Sequence, residues 1–299
     1  MEISVIIPSY NTQNVIADTL ESVVNQSANF DFEVIVVDCS ENEQVKNVVE
    51  SFPNVLFHHE TERFNPGIGR NIGAKLAKSD LLIFLDADVI LERNALSAAL
   101  KEYRSGKKMF GGALELNKQK SKGVAGYVEH YFFNHESQPG RKEQERKNLS
   151  SAFMCADKAV FLNAGGFKNI ARMQDTELTE RLVAKGIKLY FCPALVALQT
   201  QDSPIKSVFR KIFINGRNLY SIRYKENTST TKSLMLFVLL PLMALAKGMR
   251  IVMRHLKYQT LKNKIKTVLL APLLLLGAFV WMVGFYYSMI FGLPISKTR

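Results

Sequence analysis

The sequence predicts a mixed, mostly parallel α/β sheet with flanking helices, followed by C-terminal membrane helices. Three observations carry that prediction. Short apolar runs alternate with segments of helical spacing over the first two hundred residues. Several of those runs stop abruptly at a carboxylate, above all residues 81–88, which read LLIFLDAD. The last third carries long stretches of Leu, Val, Phe and Met that the rest lacks.

Residues 3–7 form a short apolar strand, broken by Pro8-Ser9-Tyr10-Asn11. Residues 14–26 then show helical spacing, with Ile16, Leu20, Val23 and Val24 on one face. A second strand over 32–37 ends at Asp38. A helix over 43–52 and a third strand over 55–58 follow. Residues 66–78 read as a helix carrying GIGRNIGAKLAK, and 80–85 as the fourth strand. Ligands in such sheets bind beyond the carboxyl ends of the strands. The Pro8–Asn11 turn, Asp38 and the pair Asp86 and Asp88 therefore converge on one rim. Two carboxylates one residue apart repel each other unless a cation sits beside them, and a hard divalent ion with oxygen ligands answers that need. The competing reading is an acidic turn after a strand.

Beyond the acids, 93–103 is a helix and 108–116 a strand. Residues 117–150 are rich in Lys, Glu, Gln and Arg, with an aromatic helix over 123–134 and a loop over 138–148. A strand over 151–156 and a helix over 158–164 lead to Gly165-Gly166-Phe167. A helix over 173–185 and a strand over 187–193 close the domain, which is expected to span 1–202.

Residues 203–232 hold a basic amphipathic segment. Ile205, Val208, Phe209, Ile212, Phe213 and Leu219 alternate there with Lys206, Arg210, Lys211, Arg217 and Arg223. It suits a membrane interface, and an ordinary surface helix is the alternative. Residues 233–299 form the membrane region. Residues 267–291 are apolar enough to span a bilayer. Residues 234–246 are shorter, contain Pro241 and run into Lys247 and Arg250, so a second span within 234–252 stays open. Length favours two spans, whereas the basic stretch 247–266 favours one, with the domain cytoplasmic either way. The tail then holds only Lys297 and Arg299.

The net charge is +12 at pH 7, with much of the excess beyond Ser203, which points to an anionic membrane surface. Neither a zinc spacing nor a basic stripe interleaved with aromatics points to nucleic acid. Cys39, Cys155 and Cys192 are scattered and odd in number, as reduced core residues of a cytosol-facing domain would be. The opening MEISVIIPSY reads as a strand and turn, not a signal peptide. His130 and His135, beside Glu129 and Glu136, read as a solvated or interfacial pair ahead of a metal site. The sequons at Asn25, Asn148 and Asn227 would stay unmodified in a cytoplasmic domain.

The motifs in order are Val5-Ile6-Ile7-Pro8-Ser9-Tyr10-Asn11, Val36-Val37-Asp38, Gly69-Arg70-Asn71-Ile72-Gly73 and Phe84-Leu85-Asp86-Ala87-Asp88. Gly165-Gly166-Phe167 and Gln174-Asp175-Thr176-Glu177-Leu178-Thr179-Glu180-Arg181-Leu182 continue the series. Over roughly the first two hundred residues this resembles the family 2 glycosyltransferases of the GT-A fold.

The resemblance implies an inverting enzyme that moves one sugar from a nucleotide-diphosphate sugar. Asp88, with Asp86, would hold Mg²⁺ or Mn²⁺ on the diphosphate. Pro8, Ser9, Tyr10, Asp38, Arg70, Asn71, Asp86 and Ala87 would bind the nucleotide sugar, Asp38 accepting a hydrogen bond from a uracil-like imide. Asp175 would be the general base, and Gly165, Gly166 and Phe167 the acceptor-side loop. The acceptor expected is a membrane lipid or lipid-linked saccharide at the cytoplasmic face of the cell membrane, in polysaccharide or glycan assembly. A polyprenyl-phosphate glycosyltransferase, a non-catalytic membrane protein retaining the fold and a nucleotidyltransferase stay as alternatives. Oligomerisation through the membrane helices stays open.

The sequence departs from the family pattern at three places. Gln174 stands where Glu often precedes the base, and Leu198-Gln199-Thr200-Gln201 replaces a His that often ligates the metal. The processive Gln/Arg-x-x-Arg-Trp motif is absent, and the single Trp, Trp281, lies in the apolar run. A third metal ligand is therefore unassigned, and single transfer is expected.

Overall fold

The computed structural model describes residues 1–225 and 229–291. Asn227, Lys297 and Arg299 lie outside the described residues. The chain begins β1 (Ile3–Ser9), α1 (Ile16–Val24), β2 (Phe32–Asp38), α2 (Gln44–Glu50), β3 (Val55–His59), α3 (Pro66–Leu76) and β4 (Leu81–Leu85). β5 (Val89–Leu91), α4 (Ala95–Arg104), β6 (Met109–Leu116), α5 (Gly123–Phe133), β7 (Gln144–Arg146) and β8 (Phe153–Asp157) follow. Next come α6 (Lys158–Asn163), α7 (Gln174–Ala184) and β9 (Leu189–Gln199). The last helices are α8 (Ile205–Arg223), α9 (Thr230–Tyr258) and α10 (Leu261–Phe291).

Among the described residues, nine strands form one sheet in the order β3-β2-β1-β4-β8-β6-β9-β5, with β7 on β9. β1 pairs in parallel with both β2 and β4, Ser9 lying opposite Asp38 and Ile6 opposite Phe84. β8 then runs antiparallel to β4. Because β1 and β4 are covered on both faces, β4 reads as an unbroken apolar run and β1 as one interrupted only by Ser4 before Pro8. Side-chain alternation divides them between two cores. Ile3, Val5, Ile7, Leu81, Ile83 and Leu85 face one, with Ile16 and Leu20 of α1. Ile6, Leu82 and Phe84 face the other, with Phe161, Phe167 and Leu178.

α3 starts where the sequence directs it. Asn65 caps the helix, its Oδ1 accepting from the Gly67 and Ile68 amides, and Pro66 occupies the first turn. Gly73 lets the helix approach β1, since a Cβ there would lie 2.3 Å from Ile6 Cγ2.

Three strands differ from expectation. β5 has only three residues, too few for a periodic signal. β7 lies in the segment read as a loop and pairs with β9. β9 runs on past Pro193 to Gln199. Pro193 falls between the residues that pair with β7 and those that pair with β5, where its missing N–H breaks neither ladder.

The chain divides into two compact units. The first comprises Met1–Glu115, Arg141–Asn169 and Gln174–Gln199, and carries the sheet. The second comprises Leu116–Gly140, Ile170–Met173 and the described residues from Thr200 onward. Its core joins Val128, Tyr131 and Phe132 of α5 to Val208 and Ile212 of α8, Leu240 of α9 and Leu274 and Phe285 of α10.

α9 is one continuous helix, not an apolar segment interrupted at Pro241. Proline removes the donor that would serve the carbonyl four residues back, here Phe237. The Tyr286 hydroxyl donates to Phe237 O at 2.6 Å and fills that vacancy. Two helices, residues 231–258 and 261–291, are long and apolar enough to cross a membrane by length and composition.

Candidate active site

All thirteen residues singled out from sequence belong to the first unit. β1, β2 and β4 are parallel, so their carboxyl ends bring the Pro8–Asn11 turn, Asp38 and Asp86 to one rim. β8 is antiparallel to β4, so it begins at that same rim: Phe153 pairs with Leu85 and the Asp86 amide donates to Ala152 O. Residues just before β8 then receive the start of α7. The Ser151 amide donates to Asp175 Oδ2 at 3.3 Å, and Thr176 N donates to Oδ1 at 2.8 Å.

Burial raises the Asp175 carboxyl above its ordinary value, against the two amides and the charge of Arg70; the charge of Asp86 raises it further. Asp175 lies in the first turn of an eleven-residue helix. Met173, just before that helix, holds a φ of 66°, a left-handed conformation uncommon for a side-chain-bearing residue.

Around the acids the side chains form a chain of contacts. Arg70 is buried, and its Nη2 pairs with Asp86 Oδ1 while Nη1 reaches Gln174 Oε1 at 3.4 Å. Gln174 Nε2 donates to Asn65 Oδ1 at 2.7 Å, and Asn65 Nδ2 bonds Asn169 Oδ1. Arg70 thus faces a carboxylate of the rim. The helix cap of α3 is thereby joined to the first residue of α7 through Gln174. A neutral amide suits that place, because it donates to one neighbour and accepts from the other.

Asn71 turns its side-chain amide to the loop that carries Phe167. Its Nδ2 donates to Phe167 O, and its Oδ1 accepts from Phe167 N, both at 2.8 Å. Phe167 packs its ring against Phe84 and Phe161, so the loop is pinned from both sides. Gly165 and Gly166 turn there with φ of 85° and 64°. A Cβ on Gly166 would lie 2.5 Å from Asn71 Oδ1. Arg181 of α7 donates to Gly166 O at 2.7 Å and to Ala164 O, and is held by Glu177 at 2.8 Å.

On the nucleoside side, Asp38 is buried. Its Oδ1 accepts from the Ser40 hydroxyl at 2.8 Å and its Oδ2 from the Ser40 amide at 2.9 Å. Oδ2 also faces His59 Nδ1 at 3.4 Å, so the further lone pair lies on Oδ1. The Ser9 and Thr12 hydroxyls lie 2.7 Å apart, and Asn11 turns the chain at φ 54°. The Arg63 guanidinium stacks 4.3 Å over the Tyr10 ring. Ala87 O accepts from the Thr19 hydroxyl at 2.8 Å, which fixes the backbone between the two acids. Asp88 is half-buried and leads into β5, where Val89 pairs with Gln199.

Sequence reading did not single out Arg63 or Asn65. For Asn65 a signal existed, since Asn-Pro before a helical pattern is a start signature. For Arg63 there was none. Away from the rim, Glu102, Glu143 and Cys192 also converge. Lys107 pairs with both carboxylates there, at 2.7 Å for Glu143, and burial pushes the Cys192 thiol up to about 12.

The model for glycosyl transferase family 2 matches residues 4–170, more than half of the chain. The poly(ribitol-phosphate) beta-N-acetylglucosaminyltransferase TarS of Staphylococcus aureus is 34% identical over 104 residues, covering 33% of this chain and 18% of that protein. The O-antigen chain rhamnosyltransferase RfbN of Salmonella typhimurium is 23% identical over 226 residues, 72% of each chain. The mannosyltransferase PcManGT from Pyrobaculum calidifontis, solved in complex with GDP-Man and Mn²⁺, shares the fold. Its TM-score is 0.61 at 15% identity, over 98% of this chain and 88% of that one. The matched segment thus spans less than a fifth of TarS. Motif order, rim geometry and the family model agree: the chain belongs to glycosyl transferase family 2.

Proposed function

We propose that this chain moves a single sugar, with inversion, from a uridine-diphosphate sugar to a lipid-linked saccharide at the cytoplasmic membrane face. The observation that carries the reading is the meeting of Asp175 with the Arg70–Asp86 pair. Arg70 pairs with Asp86 and reaches Gln174 Oε1 at 3.4 Å, the residue beside Asp175, at the end of the parallel strands. RfbN acts on O-antigen chains by its name, and the apolar helices of this chain suit a membrane-held acceptor.

Transfer with inversion needs a base on the face opposite the leaving nucleotide. Asp175 takes the acceptor hydroxyl proton as the oxygen attacks the anomeric carbon and the bond to the diphosphate breaks. Its raised affinity for a proton makes it the stronger acceptor, while the Ser151 and Thr176 amides hold the carboxylate in place. Gly165, Gly166 and Phe167, clamped by Asn71 and Arg181, shape the acceptor side. Asp38 accepts from the imide N–H of the base while Ser40 orients it, and Pro8, Ser9 and Tyr10 line the nucleoside. Arg70 acts by orienting Asp86.

Mg²⁺ or Mn²⁺ fits the donor set, because hard carboxylate oxygens on Asp86 and Asp88 stand one residue apart at the rim. When bound, such an ion supplies counter-charge to the diphosphate leaving group. With one Asp86 oxygen taken by Arg70, Asp88 is the more direct ligand.

The test is transfer from a panel of nucleotide sugars, with Mn²⁺, to two acceptors: bare polyprenyl phosphate and a lipid-linked saccharide. Transfer to the saccharide from a uridine donor, lost in Asp175→Asn, is the expected result. Transfer to the bare lipid phosphate alone would move the assignment to the polyprenyl-phosphate alternative. No turnover of any nucleotide sugar would refute the enzymatic reading.

A further inference from the structure

We propose that α9 and α10 form a hairpin lying flat within one leaflet of an anionic bilayer, without crossing it. The inference rests only on the membrane-associated part of the reading above, not on the chemistry.

α10 is covered along one side by its own unit. Lys266 Nζ bonds the Tyr127 hydroxyl of α5. A Cβ on Gly277 would meet the Phe132 ring at 3.1 Å and Ile212 of α8 at 3.3 Å. Further along, α8 and α10 touch backbone to backbone. A Cβ on Gly216 would lie 1.9 Å from Trp281 O, and one on Gly284 would lie 2.0 Å from Phe213 O. Ser221 and Ser288 meet at 3.0 Å. Contacts thus run from residue 266 to residue 288, about 33 Å at 1.5 Å per residue. That length matches the whole hydrocarbon core, about 30 Å. If α10 crossed the bilayer, α5 and α8 would have to cross beside it.

Those two helices cannot do so cheaply. Glu129 of α5 pairs with Lys211 of α8, next to Ile212 and so level with Gly277 near the middle of α10. A span would place that ion pair deep in hydrocarbon, with exposed Lys206 and Arg210 on the same helix. α9 argues the same way. Its uncharged stretch, residues 234–246, measures about 20 Å at 1.5 Å per residue, short of the core. Lys247, Arg250, Arg254 and Lys257 then recur at helical spacing. Lys247 rests against the Phe132 and Trp281 rings at 5.3 and 5.1 Å.

The turn of the hairpin is tied back to the segment that carries α5. Arg254 bonds Glu136 and, at 2.8 Å, His135, while Gln138 meets His255 at 2.7 Å. A Cβ on Gly140 would lie 2.4 Å from Tyr258 O. The hairpin therefore keeps one side against protein from turn to open end. The other side shows a single apolar stripe on each helix, with Val238, Leu242 and Leu245 on α9 and Leu276, Phe279 and Val283 on α10 exposed. Apolar stripes edged by bases are the pattern of an in-plane helix on anionic lipid. The flat hairpin also removes the conflict between length and charge, because residues 247–266 stay on the side of the protein with either end of the hairpin.

The full chain, reconstituted in sealed vesicles of phosphatidylcholine and phosphatidylglycerol, tests this. Thr260→Cys in the turn and Asp202→Cys before α8 are each labelled with an impermeant maleimide, before and after detergent. The three native cysteines are buried and give the background. The labelled fractions before detergent should be equal at the two positions, whatever the mixture of orientations. A fluorophore at Leu261, Leu276 or Ile290 should show equal, shallow quenching by depth-graded spin-labelled lipids. Complementary labelled fractions, or a quenching maximum at Leu276 deep in the bilayer, would overturn the proposal. So would failure to float with the vesicles, accompanied by self-association through the apolar face. None of these readouts depends on which nucleotide sugar is turned over.

Discussion

Asp175 carries the most specific consequence at the scale of single residues. Its carboxyl is raised, chiefly by burial, so it holds its proton to a higher pH than an ordinary Asp near 3.9. Transfer should therefore fall as pH drops through that raised value, with the acidic limb displaced upward from the ordinary carboxylate range. Asp175→Asn should lose the limb along with about 10²–10⁴-fold of the turnover. A kcat–pH profile of both proteins checks this. Arg70 and Gln174 act one step back. Arg70→Met frees Asp86 from its partner and breaks the contact with Gln174. Loss of such an orienting partner typically costs about 10–100-fold in metal affinity. Titration of Mn²⁺ in the presence of uridine diphosphate reads that loss. The acids Asp38, Asp86 and Asp88 were legible because each ends an apolar run. The partners of Arg70 and Asn71 were not, since Gln174 and Phe167 lie about a hundred positions away and only the fold brings them near.

Among the elements, the loop before α7 and the start of α6 make separate predictions. Gly166→Ala places a side chain at φ 64° and against Asn71. A strained left-handed residue costs about 1–3 kcal/mol, read by urea unfolding, and acceptor KM should rise more than donor KM as the loop shifts. Asp157 caps α6 through the Val160 amide at 3.0 Å and takes Lys108 and the Tyr103 hydroxyl at 2.8 Å. Burial raises its carboxyl, but Lys108 and these hydrogen bonds outweigh that and hold it below the ordinary value. A depressed carboxyl stabilises the fold above its unfolded pKa, and that contribution is lost as pH falls through the folded pKa. Asp157→Ala should thus cost about 1 kcal/mol at pH 7, with the gap to wild type closing toward pH 2. Strand β4 was readable from an unbroken apolar run, and β1 and β2 from the runs Val5–Ile7 and Val34–Val37. β5 and the second half of β9 were hidden, one by its three-residue length and the other behind Pro193, whose position between two ladders only tertiary pairing reveals.

For the molecule as a whole, the cut between sheet and C-terminal helices does not follow the chain. The sequence marks a change of character near residue 203, yet α5 packs with helices that come much later. Its aromatic residues were visible in the sequence, but their partners on α8, α9 and α10 were not. A chain ending at residue 203 would expose Val128, Tyr131 and Phe132, which are buried in the full protein. Such a fragment should aggregate without detergent and bind a hydrophobic dye, whereas a monodisperse fragment would contradict this division. The central claim concerns the rim in the first unit, and uridine diphosphate binding measured calorimetrically, with and without Mn²⁺, tests it most directly. In wild type and in Asp175→Asn, binding should require Mn²⁺; in Asp88→Ala, the metal-dependent part should be lost. Binding of equal strength with and without the metal, or unchanged in Asp88→Ala, would contradict the assignment of this rim.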